Sequence, residues 1–172
     1  MLKKLLHRGP DGGNVWSNSS VTLGHRRLAI QDLSENGLQP MKSRCNRYII
    51  AFNGEIYNFK QLQSELSTNK WVGRSDTEVL VEAISEWGLD HTLKKINGMF
   101  AFSIWDETYK KLYLVRDRIG EKPLYFYNKN GFFAFSSEVK ALECLRKISL
   151  TINRSAVRSF LKYGNIPWPA SI

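Results

Sequence analysis

The 172 residues hold only two cysteines, Cys45 and Cys144, and three histidines, His7, His25 and His91. Two thiols in a chain of this length make no disulfide framework, so a reducing, cytoplasmic setting is expected. The histidines stand far apart and neither cysteine has a second ligand at zinc spacing, so no metal site is expected. Nowhere does the chain approach the ~18 consecutive apolar residues that a membrane span requires. The start, Met1 to Gly9, has a basic touch but neither the apolar core nor the small-residue cleavage site of a signal peptide. Phosphate-cradling glycine loops of the two common patterns are missing, which argues against nucleotide binding within these residues. There are no internal repeats and no low-complexity tract.

What is present suits a soluble globular domain: 42% hydrophobic and 24% charged residues, enough apolar mass to offset chain entropy. The net charge is +9, from 25 Lys and Arg against 16 Asp and Glu. Clustered cations would suggest a nucleic-acid surface. Here they come as scattered pairs (Lys3-Lys4, Arg26-Arg27, Lys94-Lys95, Lys110-Lys111) with no run of five or six, and no nucleic-acid motif accompanies them. No nucleic-acid partner is expected; a solvated basic shell or an acidic partner domain accounts equally well for the charge.

Strand-like runs rich in β-branched and aromatic residues fall in two groups. Ser20–Leu23, Arg27–Ile30 and Arg47–Phe52 form the first; Met99–Trp105, Lys111–Val115, Leu124–Tyr127 and Phe132–Phe135 form the second. The short joins predict mostly antiparallel pairing. Between the groups, Phe59, Leu62 and Leu66 recur at helical spacing, and Ser75-Asp76-Thr77-Glu78 is a capping box opening an apolar stripe that ends at Gly88. A short helix is expected over Glu138–Leu142, and Asn153 is placed to cap another carrying Val157, Phe160 and Leu161. Tyr163–Ile172, with two prolines, reads as linker. The class is α+β, helices packed on antiparallel sheets.

Three places could carry chemistry, and each has a plain structural reading beside it. Asn53-Gly54 is either a tight turn or a pair of donors, one side-chain amide and one approachable N–H, suited to an oxyanion. Arg27 is an exposed strand arginine or a bidentate grip for a carboxylate. Asp76, at a helix start, either complements the helix dipole or awaits a ligand ammonium. The charged stretch Arg116–Tyr125 reads as an ion-pair corner rather than a functional loop.

Taken together and in order, these segments are more specific than any one of them. His7-Arg8-Gly9-Pro10-Asp11, Gly24 to Ile30, Gln39-Pro40-Met41, Asn53 to Asn58, Ser75 to Glu78, Gly98 to Phe102, Arg116-Asp117-Arg118 and Phe135 to Leu142 resemble the class II glutamine amidotransferase domain of glutamine-hydrolysing asparagine synthetases. The resemblance implies an N-terminal-nucleophile hydrolase fold, an αββα sandwich of two antiparallel sheets between helices. It implies that Arg27 holds the carboxylate of L-glutamine, with Asp76 and Glu55 fixing its amino end. Asn53 and Gly54 would form the oxyanion hole, and Leu28 and Ile30 would line the pocket near the α-carbon. Glutamine would be hydrolysed to glutamate, with ammonia passing to a C-terminal synthetase domain that uses ATP and Mg to amidate aspartate or a related carboxylate. The full-length family also suggests a homodimer.

In that family the nucleophile is an N-terminal cysteine upstream of the His-Arg-Gly-Pro-Asp turn. The expectation is therefore a domain clipped at both ends: residues 1–150 a partial amidotransferase domain without its first strand or nucleophile, residues 151–172 the start of a linker towards a missing synthetase domain. Such a chain would be inactive by itself, because the thiolate and its own α-amine carry the reaction. The alternative is a non-catalytic glutamine-binding or partner-docking module.

Overall fold

A computed structural model describes residues 1–30, 32–148 and 151–167. Its centre is a four-stranded antiparallel sheet in the order β3 (Met41–Lys42), β4 (Tyr48–Ile56), β5 (Gly98–Asp106), β6 (Lys111–Arg116). Alternation along β4 divides its residues between two apolar layers. Tyr48, Ile50, Phe52 and Ile56 enter the main core with Phe100, Phe102 and Ile104 of β5. That face is covered by α1 (Phe59–Glu65) and α2 (Asp76–Trp87), which contribute Leu62, Val79, Leu80, Ala83 and Ile84. Ile49 points the other way, into a smaller cluster with Trp105 and Leu23. Burial of each large apolar side chain here is worth roughly 1.5–3 kcal/mol, so the sheet is held from both sides.

The capping box behaves as its sequence dictates. Ser75 Oγ accepts the backbone N–H of Glu78, and α2 stops at Gly88, whose φ of 83° suits glycine. Ser75→Ala should lower stability by about 1 kcal/mol. In urea the unfolding midpoint should fall while the slope stays unchanged. α3 (Leu89–Lys95) follows at once; its seven residues are too short to show a helical period in the sequence.

Two further hairpins flank the central sheet. β1 (Gly12–Ser17) pairs with β2 (Thr22–Arg27), and β7 (Tyr125–Lys129) pairs with β8 (Phe132–Ser136) through Asn130-Gly131, both at positive φ as a tight hairpin turn requires. The expected strands Ser20–Leu23 and Arg27–Ile30 are corrected to the single β2. The chain leaves the ladder after Arg27 because Ala29 N–H turns to the Asp11 carboxylate, 2.9 Å away, and the Arg27 guanidinium draws in the next loop. The antiparallel α+β class holds. The hydrogen-bonded ladders among the described residues are three, of two, four and two strands.

α4 (Val139–Leu142) and α5 (Arg154–Tyr163) complete the chain, α5 capped by Asn153 Oδ1 accepting from the N–H groups of Ser155 and Ala156. Residues 154–163 of the expected linker segment are thus helical, and its end, 168–172, lies outside the described residues. Among the described residues no helix is long and apolar enough to cross a membrane.

Candidate functional site

The free edge of β4 organises the site. β3 pairs only with Ile49 and Ile50, so from Phe52 onward that edge has no strand beside it among the described residues. Backbone N–H groups of alternate strand residues share a direction, so those of Phe52, Gly54 and Ile56 all face this edge. Two of the three are met by side chains. Phe52 N–H donates to Gln39 Oε1 at 2.6 Å, and Ile56 N–H donates to Asp76 Oδ2 at 2.9 Å. Across the sheet, Phe100, the partner of Gly54, turns both its polar groups to Asp117 instead. The N–H of Gly54 is left directed at a cavity.

That cavity, about 260 Å³, is lined by Arg27, Leu28, Ile30, Asn53, Gly54, Glu55 and Asp76 among others. All seven residues singled out from the sequence therefore share one hollow, although they come from β2, the loop after it, β4 and the start of α2. Its size is that of a small, polar metabolite rather than a drug-sized ligand.

Asn53-Gly54 is not a turn: both residues lie in the β4–β5 ladder, opposite Ala101 and Phe100. Gly54 has no room for a side chain, since a Cβ there would sit 2.2 Å from Met99 O. Asn53 Nδ2 is buried and finds no hydrogen-bond partner among the described residues. A buried amide donor without a partner is costly, and Asn53 lines the same cavity as Gly54.

Asp76 is only 6% exposed. Desolvation pushes its pKa above the usual carboxylate range, against the backbone N–H groups of Ile56 and Thr77 that hold it down. Among the described residues no cation pairs with it, and its negative charge would gain such a partner from a ligand ammonium. Arg27 donates from Nη1 to Ser34 O at 2.8 Å and from Nη2 to Asp32 O. Those two bonds fix the guanidinium plane; among the described residues its other N–H groups make no further hydrogen bond. Leu28 and Ile30 form an exposed apolar lip, at 55% and 75% exposure.

The sequence reading passed over several lining residues. His25 sits between this cavity and a larger apolar one behind it. Burial lowers its pKa to about 4, so the ring is neutral near pH 7; its Nε2–H donates to Phe52 O at 3.1 Å. Lys122 reaches the wall from the charged stretch after β6. There the Asp117 carboxylate accepts from the N–H groups of Ile119, Gly120, Glu121 and Lys122, and pairs with β5 through Phe100 N–H. Desolvation acts against that carboxylate, but these backbone donors hold its pKa far below the usual range. The corner is structural, but the expected ion pairs are corrected to main-chain bonds: Arg116 donates to Lys122 O and Gly120 O, and Arg118 to Ile96 O and Leu93 O. It also delivers a cation to the cavity.

Neither cysteine takes part. Cys45 Sγ lies against Ser43 Oγ and Ser85 Oγ at 3.3 and 3.0 Å, and Cys144 is exposed against Lys140 O. Among the described residues no three His, Cys, Asp or Glu side chains are grouped to hold a metal ion.

A family model described as the glutamine amidotransferase domain matches residues 1–172. The chain is 38% identical to asparagine synthetase (glutamine-hydrolyzing) 3 of Bacillus subtilis strain 168, over 95% of this chain and 27% of that protein. It is 38% identical to the putative asparagine synthetase (glutamine-hydrolyzing) 2 of Methanocaldococcus jannaschii, over 100% of this chain and 37% of that one. A rice asparagine synthetase (glutamine-hydrolyzing) 2 shows 36% identity over 98% and 29% respectively. The chain thus spans between 27% and 37% of the length of these relatives, and it belongs to the glutamine amidotransferase domain family, in the branch carried by asparagine synthetases.

Proposed function

We propose that the cavity binds L-glutamine as the nitrogen donor of an amide-transfer reaction. The single observation carrying this reading is that seven groups of complementary chemistry line one hollow of about 260 Å³. Arg27 takes the α-carboxylate, Asp76 with Glu55 the α-ammonium, and the lip of Leu28 and Ile30 covers the α-carbon. At the far end Asn53 Nδ2 and Gly54 N–H receive the carboxamide oxygen and stabilise it as charge develops. Water and glutamine give glutamate and ammonia. The ammonia then serves a synthetase domain that uses ATP and Mg to amidate aspartate or a related carboxylate. In this reading the whole protein works in the cytoplasm, as a homodimer.

Hydrolysis through this hole needs a nucleophile beside the carboxamide carbon. Both cysteines of the 172 residues lie elsewhere, which supports the further reading that this chain alone binds glutamine without turning it over. A glutamine-binding module with no catalytic role would bind equally well, and joining the chain to the remainder of its enzyme separates the two readings.

Titration calorimetry with the purified chain should give saturable glutamine binding that disappears in Arg27→Ala. Ammonia release should stay at background and be unaffected by Cys45→Ala. An absence of binding in the parent chain would remove the assignment, and brisk turnover lost in Cys45→Ala would overturn the account of the nucleophile.

A further inference from the structure

Gln39 belongs to no element that the reaction calls for, yet its carboxamide is buried between the two walls of the cavity. Its Oε1 accepts the Phe52 N–H at 2.6 Å, and its Nε2 donates to Thr77 Oγ1 at 3.2 Å. Phe52 immediately precedes Asn53, and Thr77 immediately follows Asp76. On the other side of the same segment, Asp76 Oδ2 accepts the Ile56 N–H at 2.9 Å. Residues 53–55 are therefore held at both ends along an edge that no strand covers among the described residues, and both ties run to the first turn of α2, which carries Thr77 and Asp76.

We infer that Gln39 is a positioning residue: by bridging Phe52 N–H to Thr77 it fixes the direction of the Gly54 N–H and its distance from Asp76. The inference rests on the glutamine reading of the cavity and adds a residue to it. The physics is that of an edge donor. β5 holds residues 53–55 on one side of β4. On the other side, among the described residues, Phe52 is held by side chains alone, its N–H by Gln39 Oε1 and its carbonyl by His25 Nε2. A shift of Phe52 along this edge would carry the Gly54 N–H, two residues on in the same direction, off the ligand oxygen. Gln39 removes that freedom with two neutral hydrogen bonds in a buried place, where such bonds are hard to replace with water. A buried amide of this kind fixes geometry without adding a charge beside Asp76.

A ligand without a carboxamide supplies the discriminating measurement. L-norvaline keeps the α-carboxylate, α-ammonium and side-chain carbons of glutamine but has nothing to offer the Asn53–Gly54 donors. Gln39→Leu should weaken glutamine about tenfold, the worth of one well-placed hydrogen bond, and leave norvaline affinity unchanged, so that selectivity collapses. Thr77→Val, which cuts only the far end of the bridge, should lower selectivity by a smaller factor; Thr77→Ser should restore it. Arg27→Ala should weaken both ligands together. General loosening of the fold would also weaken both together, and that result in Gln39→Leu would overturn the inference.

The ligand-free amide resonance of Gly54 separates this inference from the glutamine assignment. It should shift, and exchange faster, in Gln39→Leu and Thr77→Val but not in Arg27→Ala. A Gly54 amide unmoved by both bridge variants overturns the positioning role even if glutamine binds. A Gly54 amide that moves in a chain unable to bind glutamine supports the positioning of the donor and overturns only the ligand. Should Gln39→Leu fail to fold, Thr77→Val carries the same comparison.

Discussion

Gly54→Ala should cost about 3 kcal/mol of stability, the upper part of the usual overpacking range, and abolish glutamine binding. The added methyl would meet main chain on the neighbouring strand, Met99 O at 2.2 Å and Phe100 Cα at 2.7 Å, not the yielding end of a side chain. Relief requires β4 and β5 to part at the position where the Gly54 N–H takes its direction. The two losses therefore have one cause. Gly12→Ala is the control, because a Cβ there meets nothing within 4 Å; it should shift the urea midpoint little and leave affinity intact. A Gly54→Ala protein as stable as its parent and still binding glutamine would show that β4 and β5 are not packed this closely, and the donor geometry would fall with that packing.

The parts of the fold that were legible are those where local chemistry and tertiary demand agree. β4 and β5 are dense in Ile, Phe and Ala, and α2 announces itself with Ser75 and Glu78. β1 escaped notice because Gly12, Gly13 and Asn14 are poor strand formers; it is a strand only because β2 lies against it. β2 was split in two because Gly24-His25 interrupts its apolar residues. Asn-Gly shows how little a dipeptide fixes: at Asn130-Gly131 it makes the expected hairpin, while at Asn53-Gly54 it runs straight through a ladder. Motif order brought seven site residues to one cavity, but it gave no role to Gln39, although Gln39-Pro40-Met41 is one of the motif segments, nor to Lys122. Their contributions depend on hydrogen bonds spanning long stretches of chain, as from Gln39 to Thr77 and from Phe100 to Asp117, and nothing in local pattern encodes them. Arg27 shows the same limit: a sequence can suggest a carboxylate grip, but not that two main-chain carbonyls orient it first.

Asp76→Asn should weaken glutamine about 10- to 100-fold, the range of a charge-assisted hydrogen bond lost without loss of shape. The effect of pH gives it a second signature. Burial raises the Asp76 pKa above its ordinary 3.8, with Glu55 pushing the same way; Arg8, Arg26, Arg27, Asp32 and Lys122 are the other charged groups around the cavity. An ammonium ligand favours the ionised form, so affinity should climb as pH rises through that elevated pKa and then level off. In Asp76→Asn this rise should vanish. Stability runs the opposite way. A carboxyl whose folded pKa exceeds its unfolded one favours the native state below the unfolded value, and that contribution is lost as pH rises through the folded pKa. Above that elevated pKa, then, the ionised Asp76 burdens the ligand-free fold. Asp76→Asn, which keeps an oxygen for the Ile56 N–H, should unfold at an equal or higher urea concentration than the parent while binding worse. A variant that loses stability and keeps its affinity would mark Asp76 as a helix-capping acid and nothing more. In the proposed glutamine reading, a carboxylate kept at a cost to the empty protein is explained by the cation it would receive when the cavity fills.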